Sequence, residues 1–204
     1  MREAKLCFDR VIELDPHNVQ AYVGRAKALT ELEDRAHAMD DVNLVIRHFS
    51  DCGAAYRLRS RLNYELGNNE LASNDISKAI AMDNTREDRF GDYILRGTYY
   101  RYLGQSDKAL ADLALAVKQF PQSPIPYVKR GGLYYSLGRY RQSVDDFTTA
   151  IRLAKGDRMQ TLEWTSSRAD AYDKMGRPDL ADQDRKRVSS SAKDTYGTFF
   201  PEQK

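Results

Sequence analysis

Residues 67–82 read GNNELASNDISKAIAM, residues 104–119 read GQSDKALADLALAVKQ and residues 138–153 read GRYRQSVDDFTTAIRL. Laid over one another, the three share a glycine, a small residue five places on, a larger apolar residue four beyond it and another small residue three beyond that. Places i, i+4 and i+7 fall on one face of an α-helix. The small members let two helix backbones approach, and the glycine accepts the positive φ that follows a helix end. The triplet returns as Ala4/Phe8/Val11, Ala38/Val42/Val45 and, more weakly, Ala181/Arg185/Val188, with successive starts 34, 34, 37, 34 and 38 residues apart. Glu33 holds the turn place that Gly67, Gly104, Gly138 and Gly176 hold elsewhere. Seven places before each turn stands a second small residue: Ala26, Ser60, Gly97, Gly131 and Ala169. Each period therefore predicts two antiparallel helices. Asp34, Asn68, Ser106 and Asp179 offer side-chain oxygens near the start of the second helix, and Pro178 suits its first turn. Pro16 and Pro121 close second helices.

A period near 34 with these small and turn positions resembles the tetratricopeptide repeat. The similar-period pentatricopeptide readers of RNA fit the turn glycines and small residues less well. The resemblance implies an all-α, right-handed superhelical solenoid of antiparallel helix pairs. It places five repeats at 19–52, 53–86, 90–123, 124–157 and 162–195, with inserts at 87–89 and 158–161 and a tail at 196–204. Residues 1–18 read as the second helix of a preceding repeat, which leaves a partner-facing side for a longer array or another molecule to cover.

Composition bounds the function. The chain has 204 residues, 41% hydrophobic and 30% charged, and no stretch approaches the ~18 apolar residues of a spanning helix. Its first residues carry no signal-peptide core, so cytoplasm is the default expectation. A net charge of +2 makes no case for nucleic acid by itself. Cys7 and Cys52 make neither a disulfide framework nor a zinc site.

Two charged positions recur in every repeat. Arg25, Arg59, Arg96, Arg130 and Arg168 share one place in the first helix, and Asp41, Asp75, Asp112, Asp146 and Asp184 share one place in the second. The arginine fork suits a carboxylate, so these ten predict architectural ion pairs rather than a ligand ladder. Seven of the 13 tyrosines (Tyr22, Tyr56, Tyr93, Tyr127, Tyr100, Tyr134 and Tyr172) fall at helical spacing on the first helices and read as packing residues.

By the resemblance, first helices line a concave groove. The places facing it include Lys27, Arg57, Arg61, Tyr64, Thr98, Arg101, Tyr102, Lys129, Gly132 and Tyr135. Over four repeats the cations outnumber Glu31 and Glu65, whereas Glu163, Asp170, Asp173 and Lys174 reverse the sign in the last. The expected function is a non-catalytic scaffold that holds an acidic, aromatic-bearing peptide, with Lys27, Arg57, Arg61, Arg101 and Lys129 pairing with carboxylates and Tyr64, Tyr102 and Tyr135 packing on apolar parts. The two-carboxylate clamp by which related co-chaperones hold a chaperone tail needs lysines, asparagines and an arginine. The matching places carry Val23, Lys27, Leu58, Gly91 and Leu95, or, one repeat on, Arg57, Arg61, Leu95, Ile125 and Lys129, and neither set makes the clamp.

Nothing in the sequence assembles an active site, and no cofactor or metal is implied. His17, His37 and His48 have no i, i+4 partner for a metal and no nucleophile in register. Two other readings stand beside the scaffold: a single-stranded RNA binder stacking bases on the same tyrosines, and a scaffold segment of a larger enzyme. The tail, with Tyr196, Phe199 and Phe200, is expected to cap the last repeat or dock on a second copy, which would give a homodimer.

Overall fold

A computed structural model describes residues 1–82, 86–154 and 157–196, with 86–88 and 191–196 described by backbone alone. Eleven α-helices and no strand occur among the described residues: α1 (Arg2–Leu14), α2 (Val19–Glu31), α3 (Arg35–His48), α4 (Gly53–Glu65), α5 (Asn69–Met82), α6 (Arg86–Tyr102), α7 (Ser106–Gln119), α8 (Pro124–Ser136), α9 (Tyr140–Leu153), α10 (Arg158–Lys174) and α11 (Pro178–Tyr196). This is the all-α array of helix pairs that the periodicity predicts. The inserts 87–89 and 158–161 fall inside α6 and α10, which gain an extra turn and reach 17 residues, against 13 for α2, α4 and α8. Of the tail at 196–204, Tyr196 ends α11, and the expectation for the rest, Phe199 and Phe200 included, lies outside the described residues.

The chain divides into two compact units, Met1–Asp112 and Leu113–Lys204. In the first, Ala26, Leu29, Ala38, Val42, Leu58 and Leu62 form one core cluster, and Tyr56, Ala72, Ile76, Ala79 and Tyr99 form another. In the second, Phe147, Ala150, Ala154 and Trp164 pack together. The small residues of the triplets are sealed, Ala38, Ala72, Ala109, Ser143, Ala150 and Ala181 having no exposed surface. The first triplet departs from this pattern, since α1 buries no residue and Val11 stays 38% exposed. Its Phe8 instead lies on α2 over Gly24, where a Cβ would come within 2.3 Å of the ring.

Helix ends follow the local sequence. Asn18, Asp34 and Asp157 accept backbone N–H bonds from Ala21, His37 and Gln160 as N-caps. The four turn glycines have φ of 70–80°, and Glu33 is driven into the same left-handed region at 63°. An L residue there costs about 1–2 kcal/mol, so Glu33 is a local strain that the surrounding helices impose.

All five Arg–Asp pairs form, each with the two nitrogens Nε and Nη2 on the two carboxylate oxygens at 2.6–2.8 Å. The hydrogen bond to Asp is the main reason each guanidinium is held above its ordinary pKa, against the opposing effect of burial. Four of the five also reach back to the preceding repeat with Nη1: Arg25 to Asp9, Arg59 to Asn43, Arg96 to Ser77 and Arg168 to Thr148. Ala114 holds the corresponding place before Arg130 and offers no acceptor. The tyrosines flank the same arginines. Arg96 lies 5.7 Å from the Tyr93 ring and 5.9 Å from Tyr100, and Arg130 lies 5.8 Å from Tyr127 and 5.9 Å from Tyr134. Single rings, Tyr22, Tyr56 and Tyr172, serve Arg25, Arg59 and Arg168. Much of the tyrosine excess is thus a set of aromatic walls that shield buried ion pairs and attract the cation.

Candidate peptide-binding groove

The first unit brings α2, α4 and α6 around a cavity of about 460 Å³. Lys27 from α2 and Arg57 and Arg61 from α4 share it with the apolar Ala54, Leu58, Phe90 and Leu95, together with Gly91 and Asp92. The three cations behave differently. Arg57 is spent on Asp92: its Nε donates to both carboxylate oxygens at 3.0 and 2.8 Å, and Asp92 is 2% exposed. Lys27 and Arg61 are exposed and enter no ion pair among the described residues. The cationic face of this cavity is therefore two side chains at the rim, with a neutralised pair below them.

Asp92 is absent from the sequence-based groove, although a signal for it exists. It stands four places before the repeat arginine Arg96, where the other repeats carry the buried Ala21, Ala55, Pro126 and Trp164. Arg57 is likewise a charge at a place held by Val23, Ile94 and Val128 in other repeats. Opposite charges at two mostly apolar places on neighbouring first helices mark a buried pair, because either alone would be costly to bury.

An aromatic strip adjoins the rim. Tyr99 is fully buried, accepts a hydrogen bond from Ser60 Oγ at 3.2 Å, and feels the charges of both Arg61 and Asp92. Its ring centroid is 5.1 Å from that of Tyr64, which is 5.6 Å from Tyr102, and Arg101 lies 5.0 Å over Tyr102. Hydrogen bonding to Tyr102, then burial, raises the Tyr64 phenol above its ordinary pKa. Lys27, Arg57, Arg61, Tyr64, Arg101 and Tyr102 thus all belong to one unit. Lys129 and Tyr135 sit on α8 in the other, where Lys129 is exposed and Tyr135 packs edge-on against Tyr140 at 5.6 Å.

Two acidic features are quieter than their sequence suggests. Glu65 accepts a hydrogen bond from Arg35 at 2.7 Å. In the last repeat Arg185 bridges Asp170 at 3.4 Å and also bonds Asp173, so the odd residue of the weak sixth triplet neutralises part of that acidic patch.

A second cavity, about 360 Å³, is lined by Lys5, Asp9, Arg25, Leu29, Asp34, His37, Asp40 and Asp41. His37 Nδ1 meets Asp34 at 2.8 Å, but no Ser, Thr, Cys or Tyr side chain lines this cavity to use the pair, and no group of side chains among the described residues has metal-holding geometry. No helix among those residues is long and apolar enough to cross a membrane.

Paired helices on a period near 34 define a class of protein that presents helix faces to other macromolecules. The tetratricopeptide repeat family matches residues 94–160. The chain is 22% identical over 151 residues to human tetratricopeptide repeat protein 6, an alignment covering 74% of this chain and 28% of that one. It is 31% identical over 85 residues to Hsc70-interacting protein 1 of Drosophila melanogaster, covering 42% and 22%, and 30% identical over 105 residues to the STIP1 homolog of Dictyostelium discoideum, covering 52% and 18%. The chain therefore spans less than a third of these relatives. Among solved structures it is similar to BtubC from P. vanneervenii (TM-score 0.83, 15% identity, 100% of this chain and 92% of that one) and to MamA (0.76, 16%, 91% and 97%). It is also similar to YrrB, a TPR protein with an unusual peptide-binding site (0.71, 15%, 89% and 90%). The chain is thus similar to tetratricopeptide repeat proteins, by family model over residues 94–160, and one of the relatives it resembles is named for interacting with Hsc70.

Proposed function

We propose that this chain is a non-catalytic, cytoplasmic scaffold that holds an acidic segment of a partner protein against its first helices. The observation that carries this reading is the pair Lys27 and Arg61, two cations in no ion pair among the described residues, on the rim of an apolar cavity. Carboxylates of the partner meet them and Arg101, and its apolar parts meet Tyr64 and Tyr102; in the second unit, Lys129 and Tyr135 offer a cation and an aromatic ring of the same kind by themselves. Arg57 acts from below by neutralising Asp92.

Two of the relatives are named for interacting with Hsc70, yet this chain does not reproduce the two-carboxylate clamp. Val23 and Leu58 are each 3% exposed and apolar, and neither can supply the amide or cation that a terminal carboxylate needs.

The test is selection from a displayed random-peptide library at low salt, repeated with Lys27→Glu/Arg61→Glu/Arg101→Glu. Enrichment of Asp- and Glu-bearing peptides by the wild type and its loss in the triple variant, with unchanged helicity by circular dichroism, is expected. Unselective enrichment, or equal enrichment by both proteins, refutes the reading. Binding of a random RNA oligomer that falls steeply with salt would replace it with the nucleic-acid alternative.

A further inference from the structure

Gly91 is the sixth residue of α6 and one of the residues around the 460 Å³ cavity. A Cβ built there meets nothing within 4 Å, and its backbone lies outside the left-handed region. The fold gains nothing evident from this glycine. In a helix interior it costs about 1 kcal/mol relative to alanine. Contrast Gly131, where a Cβ would press within 3.2 Å of Asp146 and 3.4 Å of the Ser143 carbonyl; there packing explains the residue. At Gly91 the missing side chain widens a cavity whose walls are Leu58, Leu95 and Phe90 and whose rim carries Lys27 and Arg61.

From this we infer that the cavity is a socket for one large apolar side chain of an internal segment of the partner, bracketed in sequence by carboxylates, with the partner's backbone crossing Gly91. This rests on the groove reading above and sharpens it. Three features select that occupant. The apolar walls reward an aliphatic or aromatic group. Asp92 neutralises Arg57, the one cation set below the rim, so the interior holds no net charge to attract a carboxylate. The exposed cations stand on two different helices, Lys27 on α2 and Arg61 on α4, so acids on either side of the anchor each find a partner. A chain-terminal carboxylate satisfies none of this better than an internal segment does.

The experiment uses fluorescein-labelled peptides blocked at both ends, one with leucine between glutamates and one with serine in its place, titrated by anisotropy against the full chain and against Gly91→Leu, Lys27→Glu/Arg61→Glu and Leu95→Ala. The leucine peptide should bind wild type about ten- to a hundredfold more tightly than the serine peptide. Gly91→Leu, whose Cβ meets no neighbour within 4 Å, should collapse that ratio toward one while leaving the melting temperature unimpaired. Leu95→Ala should lower the ratio as a second, independent lesion. Equal binding of both peptides by wild type, with both weakened by Lys27→Glu/Arg61→Glu, overturns the socket and leaves the groove standing. Binding of neither peptide, or indifference of both to Lys27→Glu/Arg61→Glu, overturns the groove reading and the socket with it. A ratio unchanged in Gly91→Leu also overturns the socket.

Discussion

Removing the carboxylate of Asp184 should unfold the last repeat first. Arg168 gives Asp184 two hydrogen bonds at 2.8 and 2.7 Å and Thr148 a third at 3.0 Å, and the two charged side chains are only 10% and 3% exposed. In Asp184→Ala the guanidinium stays buried with one neutral acceptor and the Tyr172 ring. Breaking a buried pair from one side costs about 3–5 kcal/mol, a large share of the ~5–15 kcal/mol that holds a typical domain. With a urea slope of ~1–3 kcal/mol per molar, the midpoint should fall by about 2 M. Replacing both partners, Arg168→Met with Asp184→Leu, removes the stranded charge and should recover most of the loss. The chain supplies its own reporter, since Trp164 is its one tryptophan, 5% exposed, and one turn before Arg168. Urea titration of Trp164 emission therefore reads this repeat directly. Asp182→Ala, at an exposed carboxylate, is the control. If Asp184→Ala matches that control within ~0.5 kcal/mol, or if the double variant is as weak as the single, the ion pairs are not what holds successive helices together.

Three further outcomes follow from local geometry. Glu33→Gly relieves the one non-glycine left-handed residue among the described residues and should add about 1 kcal/mol by chemical denaturation; no gain would mean that Glu33 is not strained there. Gly24→Ala forces the Phe8 ring off α2, costing about 1–3 kcal/mol of packing against ~1 kcal/mol of helix propensity gained, so amide exchange in α1 should quicken while α4 and α5 are unchanged. Burial raises the Tyr99 phenol, so the folded chain keeps a proton that the unfolded chain begins to lose near pH ~10. Stability should fall as pH rises past that point and go on falling until the folded group ionises, and Tyr99→Phe should flatten this part of the curve in urea midpoints taken across alkaline pH.

The helix pairs, the sealed triplets and the five ion pairs were all legible in the sequence, because each rests on a residue type recurring at a fixed spacing. The tyrosines were half legible: spacing placed them on the first helices, but their service to the arginines depends on ring distances that no period encodes. The inserts at 87–89 and 158–161 were legible as extra residues between repeats, but nothing in them says that they lengthen the following helix by a turn. The groove was hardest. Lys27, Arg61 and Arg101 are exposed as expected, but the sequence alone treats Arg57 as their equal, and only the fold brings Asp92 from α6 beneath it.

The backward reach of four of the five arginines also bears on how such a chain can be rearranged. Asp9, Asn43, Ser77 and Thr148 are four different answers to one geometric question, each matched to the arginine that follows it. A repeat cut at its own boundaries and pasted elsewhere brings its arginine but leaves behind the atom that arginine addressed. Placed behind the helix of Ala114, the arginine would find a methyl group. Placed behind α1, it would meet a carboxylate already shared with Lys5. The heritable module is thus offset from the helix pair, running from the second helix of one repeat to the first helix of the next. Duplications that respect that offset would extend the array without a mismatch, whereas those cut at the visible boundaries would leave a scar at every junction.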